Sequence, residues 1–327
     1  MKKKYDMEKI NQLMLNDLQI VDKIIREDFG SKVPLINEIS EYIIAGKGKR
    51  IRPLLTLLCG RIAGVKDGNL LHKMAAMIEY IHTATLLHDD VVDESNLRRG
   101  KKTANSAFGN AAAVLVGDFI YTRAFQMMIE SKNIRLLEVM ANSTNTISEG
   151  EVLQLLNIGR QNLSEEEYFQ IINYKTATLF EAAAKVASII AQSNREMEQH
   201  LASYANNLGI AFQIVDDILD YTGENSKIGK NIGDDLIEGK ITLPIIYLLK
   251  YGTKEEVEIL KKTIIIPDDF NIRKVILLIK NSNAIGYCNK LALNFVTNAI
   301  DHLNIFPSSI YKDALVELAN IAINRIH

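Results

Sequence analysis

Met74-Ala75-Ala76-Met77-Ile78-Glu79-Tyr80-Ile81-His82-Thr83-Ala84-Thr85-Leu86-Leu87-His88-Asp89-Asp90-Val91-Val92-Asp93 spaces apolar side chains three and four residues apart and closes on a cluster of carboxylates. That spacing is the period of an amphipathic α-helix. It recurs in Leu54–Ile62, Ala112–Ile129, Ile134–Leu156, Tyr168–Ala191 and Met197–Tyr221, and no run shows the alternation of a strand. The fold class expected is therefore all-α. The run Ala182-Ala183-Ala184 lets helices approach closely, which suits one large bundle with a shared core. Pro34, Pro53, Pro244, Pro267 and Pro307 each fall at or near a helix boundary. With no linker, repeat or low-complexity tract, residues 1–327 read as one domain.

The carboxylates carry the chemistry. In a helix Asp89 and Asp93 lie one turn apart on one face, with Asp90 beside them. They repel one another unless a cation neutralises them, and their neighbours Thr85, Leu86, Leu87, Val91 and Val92 argue against a simply solvated face. The same spacing returns in Asp216-Asp217-Ile218-Leu219-Asp220, at the end of the apolar run Ile210–Val215. Hard divalent cations prefer oxygen, and magnesium in particular bridges a few carboxylates to phosphates while keeping waters. Two such clusters suggest a diphosphate held between them by Mg2+. Basic groups stand near: Gly48-Lys49-Arg50-Ile51-Arg52-Pro53, and Arg98-Arg99-Gly100-Lys101-Lys102 directly after the first cluster. Taken alone either is an ordinary solvated run. Together they could hold a second diphosphate without metal.

Histidine is less informative. Glu79-Tyr80-Ile81-His82 has the ExxH spacing of carboxylate-bridged di-iron bundles, but no second copy occurs. His82 precedes Asp89 by about two turns and so shares its face. His88 is expected to point elsewhere and is read as structural. The segment from Thr222 to Asp235 holds three glycines and five charges, the composition of a mobile functional loop.

Composition excludes other classes. With 38 basic and 40 acidic residues the net charge is −2, so no global field draws the protein to nucleic acid or to an anionic membrane. Cys59 and Cys288 are isolated, as expected for buried thiols in a reducing cytoplasm. Charges at residues 6, 8 and 9 interrupt any signal h-region after Lys2-Lys3-Lys4, and Thr103–Gly117, free of charge, is too short for a membrane span. A soluble cytoplasmic protein with no transmembrane segment is expected.

At this point the chain resembles the trans-isoprenyl diphosphate synthase (polyprenyl synthetase) family over nearly its whole length. The resemblance rests on Gly48–Pro53, His88–Ser95, Arg98-Arg99-Gly100 and Phe212–Asp217 in that order. Within the family it is most similar to the bacterial octaprenyl branch, through Ile81–His88 and Gly150-Glu151-Val152-Leu153-Gln154-Leu155. The resemblance implies a helical fold around a central apolar cavity, Mg2+ as cofactor and a homodimer. The substrates would be isopentenyl diphosphate and an allylic primer such as farnesyl diphosphate. The product would be a long all-trans chain, octaprenyl, for a quinone. It further implies magnesium ligands at Asp89, Asp93, Asp216 and Asp220, with Asp90 and Asp217 in the same catalytic motifs. Lys49, Arg52, His82 and Arg99 match its isopentenyl diphosphate pocket. Arg98, Lys175, Thr176, Gln213, Lys230 and Lys240 match positions at the allylic diphosphate. Lys47 departs from the glycine usual in close relatives.

The implied reaction begins with departure of diphosphate from the allylic substrate, followed by attack of the isopentenyl double bond and loss of a proton, in a cavity that excludes water. Segment Gly223–Gly233 would serve as its lid. A terpene cyclase would carry a second motif mixing Asn, Ser and Glu, and a non-catalytic partner subunit would have lost acids or arginines; neither is seen. Chain length is expected to be set below the first cluster, where Ala84 and Thr85 are small, Ile81 and Met77 come next, and Phe125, Met127 or Met128, with Met128 preferred, forms a floor.

Overall fold

The computed structural model of the protein describes residues 6–28, 30–44, 48–98, 100–223 and 232–324. Helices dominate: α1 Met7–Leu13, α2 Leu15–Asp28, α3 Pro34–Ile44, α4 Ile51–Ile62, α5 Asn69–Val92, α6 Ala104–Phe108, α7 Asn110–Glu130 and α8 Ile134–Leu156. Then come α9 Glu165–Ile172, α10 Thr178–Ile190, α11 Arg195–Thr222, α12 Asp234–Ile237, α13 Leu243–Tyr251, α14 Lys254–Ile265, α15 Asp269–Asn281, α16 Ala284–His302 and α17 Ile310–Asn324. The all-α expectation holds. Among the described residues the extended structure is one two-residue pair, Leu97–Arg98 against Lys101–Lys102, which forms a hairpin just past the first aspartate cluster.

Local sequence explains the boundaries. Asn133 accepts from the amides of Arg135 and Leu136 to start α8, and Asn194 accepts from Met197 to start α11. Ser164 and Glu167 form a reciprocal capping box on α9. Pro34 opens α3, and Pro53 and Pro244 stand in first turns, where a missing amide hydrogen costs nothing. One expected helix divides. Tyr168–Ala191 is α9, a π-helical turn at Asn173–Ala177, and α10.

Two apolar clusters form the interior. The first gathers Leu54, Leu58, Met77, Ile81, Met128, Phe180 and Leu208, closed by Ile10 from one end of the chain and Leu315 and Leu318 from the other. The second gathers Ile171, Ile214, Ile218, Tyr221, Leu243, Ile264 and Ile279. Helix α11 crosses both, with Tyr204 and Leu208 in the first and Ile214 and Tyr221 in the second. Each fully buried Leu or Ile contributes about 1.5–3 kcal/mol by leaving water. Helix α7 is long and apolar enough to cross a membrane by length and composition, but it packs along α5 as a core helix, with 39% of its most apolar window buried.

Candidate active site

Helix α5 ends at the first aspartate cluster, and each of its carboxylates meets a cation from elsewhere in the chain. Lys175 Nζ stands 3.7 Å from Asp89, and Lys240 Nζ donates to Asp93 at 2.7 Å and to Glu238 at 2.7 Å. Arg98, on the hairpin, forks onto Asp90 through Nη2 at 2.7 Å and Nε at 2.9 Å. Asp90 is buried by this pairing, whereas Asp89 and Asp93 stay partly open. Lys175 also donates to Glu151 at 2.6 Å. Burial, reinforced by the charge of Asp89 and opposed by Lys175, pushes the Glu151 carboxyl up to about 7. Burial alone would lower the Lys240 ammonium, but Asp235, Glu238 and Asp93 together hold it above its ordinary value.

Lys175 and Thr176 sit on the π-helical turn between α9 and α10. Two glycines make room for it. A Cβ on Gly150 of α8 would lie 2.8 Å from the Lys175 amide nitrogen, and one on Gly209 of α11 2.7 Å from the Ala177 Cα. The turn is thus gripped from both sides. Thr176 donates to Gln213 at 2.9 Å, Gln213 donates to Asp217 at 2.8 Å, and Tyr168 donates to the other Asp217 oxygen at 2.6 Å. Asp217 is buried, and burial first, then the charge of Asp235, pushes its carboxyl up to about 8. Asp220 is buried as well and its carbonyl receives the Gly233 amide at 2.9 Å; Asp216 is half-buried. Two successive residues, Lys175 and Thr176, therefore touch the helix of each aspartate cluster.

The basic run before α4 converges on α5. Arg52 is half-buried, with its Nε shielded from solvent, its guanidinium 4.7 Å over the Phe180 ring and Nη1 2.9 Å from His82 Nε2. A guanidinium can only donate, so Nε2 accepts and the imidazole proton sits on Nδ1. Burial pulls Arg52 down to about 10, against the pull of Glu79 and Asp216. Lys49 is exposed at the rim of a cavity of about 180 Å³ whose walls include Phe212 and Leu208 of α11 and Leu318 of α17. A second cavity, about 260 Å³, opens beneath Asp89, between Ile81, Thr85 and His88 of α5, Tyr121 of α7, and Thr144 and Ile147 of α8.

Several expectations can now be placed. Thr85 and Ile81 line the second cavity; Ala84 and Met128 are buried in the core and are not among its lining residues. His88 does line it, with Nε2 3.2 Å from the Val114 carbonyl, because residues 81, 85, 88 and 89 share one helical face. The expectation that His88 points away from the site is corrected on that point. Arg99, Lys230, Lys47 and most of Gly223–Gly233 lie outside the described residues. Glu151 and Tyr168 were not singled out as site residues; a carboxylate on a helix and a tyrosine at another's start carry no pattern that names their partners.

The donors fit a hard divalent cation. They are carboxylate oxygens already attended by ammonium and guanidinium groups, a place where positive charge is in demand. Among the described residues no three His, Cys, Asp or Glu side chains close on one point. An ion here would complete its shell with water or phosphate oxygen.

The sequence profile of polyprenyl synthetase matches residues 33–277. Octaprenyl diphosphate synthase of Escherichia coli (strain K12) is 46% identical over 321 residues, 98% of this chain and 99% of that one. The all-trans-nonaprenyl-diphosphate synthase (geranyl-diphosphate specific) of Rhodobacter capsulatus is 44% identical, covering 95% of each. A crystal structure of polyprenyl synthase from Caulobacter crescentus CB15, complexed with calcium and isoprenyl diphosphate, superposes with a TM-score of 0.96 at 40% identity, covering 100% of both chains.

Proposed function

Because the chain belongs to the polyprenyl synthetase family, we propose that its two aspartate clusters and their cations elongate a primer to the octaprenyl length, with isopentenyl diphosphate as the repeating donor. It is a long-chain trans-prenyl diphosphate synthase. The observation that carries the finer reading is the pair Lys175 and Thr176, which reaches Asp89 on one side and the Gln213–Asp217 pair on the other. A diphosphate seated there meets both clusters at once.

In this reading Asp89, Asp93, Asp216 and Asp220 would hold magnesium, whose positive charge would stabilise the leaving diphosphate. Lys175 and Lys240, now resting on Asp89 and Asp93, and Arg98, now on Asp90, turn toward phosphate oxygens as substrate arrives. The carboxylates then need another source of positive charge, which ties substrate and metal binding together. Lys49, Arg52 and His82, with Arg99, bind the diphosphate of isopentenyl diphosphate. Ile81, Ile147 and Thr85 keep water from the cation formed at the allylic carbon.

The remaining assignments belong to the same proposal: farnesyl diphosphate as primer, a quinone side chain as destination, one domain and the cytoplasm as its place. A homodimer would cover exposed Leu115, Val152, Leu155 and Leu156 of α7 and α8. The deciding experiment incubates purified protein with labelled isopentenyl diphosphate, farnesyl diphosphate and magnesium, then resolves products by chromatography and mass spectrometry. A dominant forty-carbon diphosphate is expected; a twenty- or twenty-five-carbon end product overturns the chain-length reading.

A further inference from the structure

Glu79-x-x-His82 drew attention as a spacing without a use, and the structure supplies one. Both residues face the start of α4, being three apart on α5. His82 meets Arg52, and Glu79 Oε1 receives Arg50 Nη1 at 2.6 Å. The pair Glu79 and His82 thus grips the pair Arg50 and Arg52 at two points.

Arg50 is an unusual residue to find gripped. It precedes α4 with φ 49° and ψ 38°, in the left-handed region, with no side-chain cap on the helix. A residue other than Gly, Asn or Asp rarely rests there and persists only where its surroundings over-determine it. Its backbone sets the directions of Lys49 before it and Arg52 after it. Two carboxylates hold the guanidinium. Asp22 lies 3.3 Å from Nε but is half exposed, so water screens it. Glu79 is 6% exposed and makes the shorter bond.

We propose that Glu79 is a positioning residue for isopentenyl diphosphate: by clamping Arg50 it holds the left-handed turn from which Lys49 and Arg52 reach the substrate. It does not itself touch substrate. Its charge acts in the same sense, because it favours the charged guanidinium of Arg52. The inference rests on the reading of Lys49, Arg52 and His82 as the isopentenyl diphosphate pocket.

Steady-state kinetics on Glu79→Gln tests it. The apparent KM for isopentenyl diphosphate should rise about tenfold, while kcat and the KM for the allylic primer stay within about twofold of wild type. Arg50→Lys keeps the charge but loses the fork and should give the same split, which decides the matter alone if Glu79→Gln does not fold. The double variant should be no worse than the more severe single, since both act through one contact. Arg52→Ala runs beside them. If it raises the KM for isopentenyl diphosphate while Glu79→Gln and Arg50→Lys do not, the positioning role is overturned and the pocket stands. If Arg52→Ala leaves that KM unchanged, the pocket assignment fails and the positioning role falls with it.

Discussion

A carboxylate in this site is defined by what neutralises it. Asp89, Asp90 and Asp93 were legible as a cluster because a spacing of one helical turn is written in the sequence. Their partners were not, since Lys240 and Asp93 are 147 residues apart and Lys175 reaches Asp89 from a turn of irregular winding. Asp90 shows the limit most clearly: it belongs to the motif, yet it is buried and spoken for by Arg98. Asp89→Ala and Asp216→Ala are therefore expected to lower turnover by orders of magnitude with the far-ultraviolet circular dichroism unchanged; full activity in either, or in excess chelator, would refute a metal bridge. Tyr168→Phe tests another buried acid, Asp217. It removes a donor from Asp217, and denaturant titration should show a loss of roughly 1–3 kcal/mol, the cost of an unsatisfied buried oxygen.

Helix positions followed from the apolar period, and the run Ile134–Leu156 coincides with α8 to the residue. The wide turn at Asn173–Ala177 escaped because it changes winding without changing composition, and apolar residues continue on both sides. What betrays it is the pair of glycines that make space. Gly150→Ala and Gly209→Ala should each cost about 1–3 kcal/mol in thermal or denaturant unfolding, as overpacking of a filled interior does. Because both press on one segment, the double variant should fall short of the sum. Gly30→Ala, whose Cβ would sit at an ordinary 3.5 Å from its nearest neighbour, should stay within about 0.5 kcal/mol.

At the scale of the whole molecule the cavity beneath Asp89 is small for a forty-carbon tail. On the proposed reading, growth displaces side chains farther along the same faces: Met77 on α5, Phe125 and Met128 on α7, Met140 on α8. Unbranched methionine yields more readily than a ring. Thr85→Phe, at the cavity wall, should cut the product to about the geranylgeranyl length in mass spectra, and Met128→Ala should extend it; an unchanged distribution from active, folded Thr85→Phe sends the tail by another route. The first apolar cluster also has a history in time. Ile10 enters it from α1, and Leu315, Leu318 and Ala322 from α17; Met7 of α1 and Leu318 and Ala322 of α17 line the cavity that has Lys49 at its rim. During translation both aspartate motifs have left the ribosome long before α17 is made, so the nascent chain carries its chemistry in an interior still missing one wall. Domains tend to fold as they emerge. Here the face of α4 that α17 covers stays open until that helix is made.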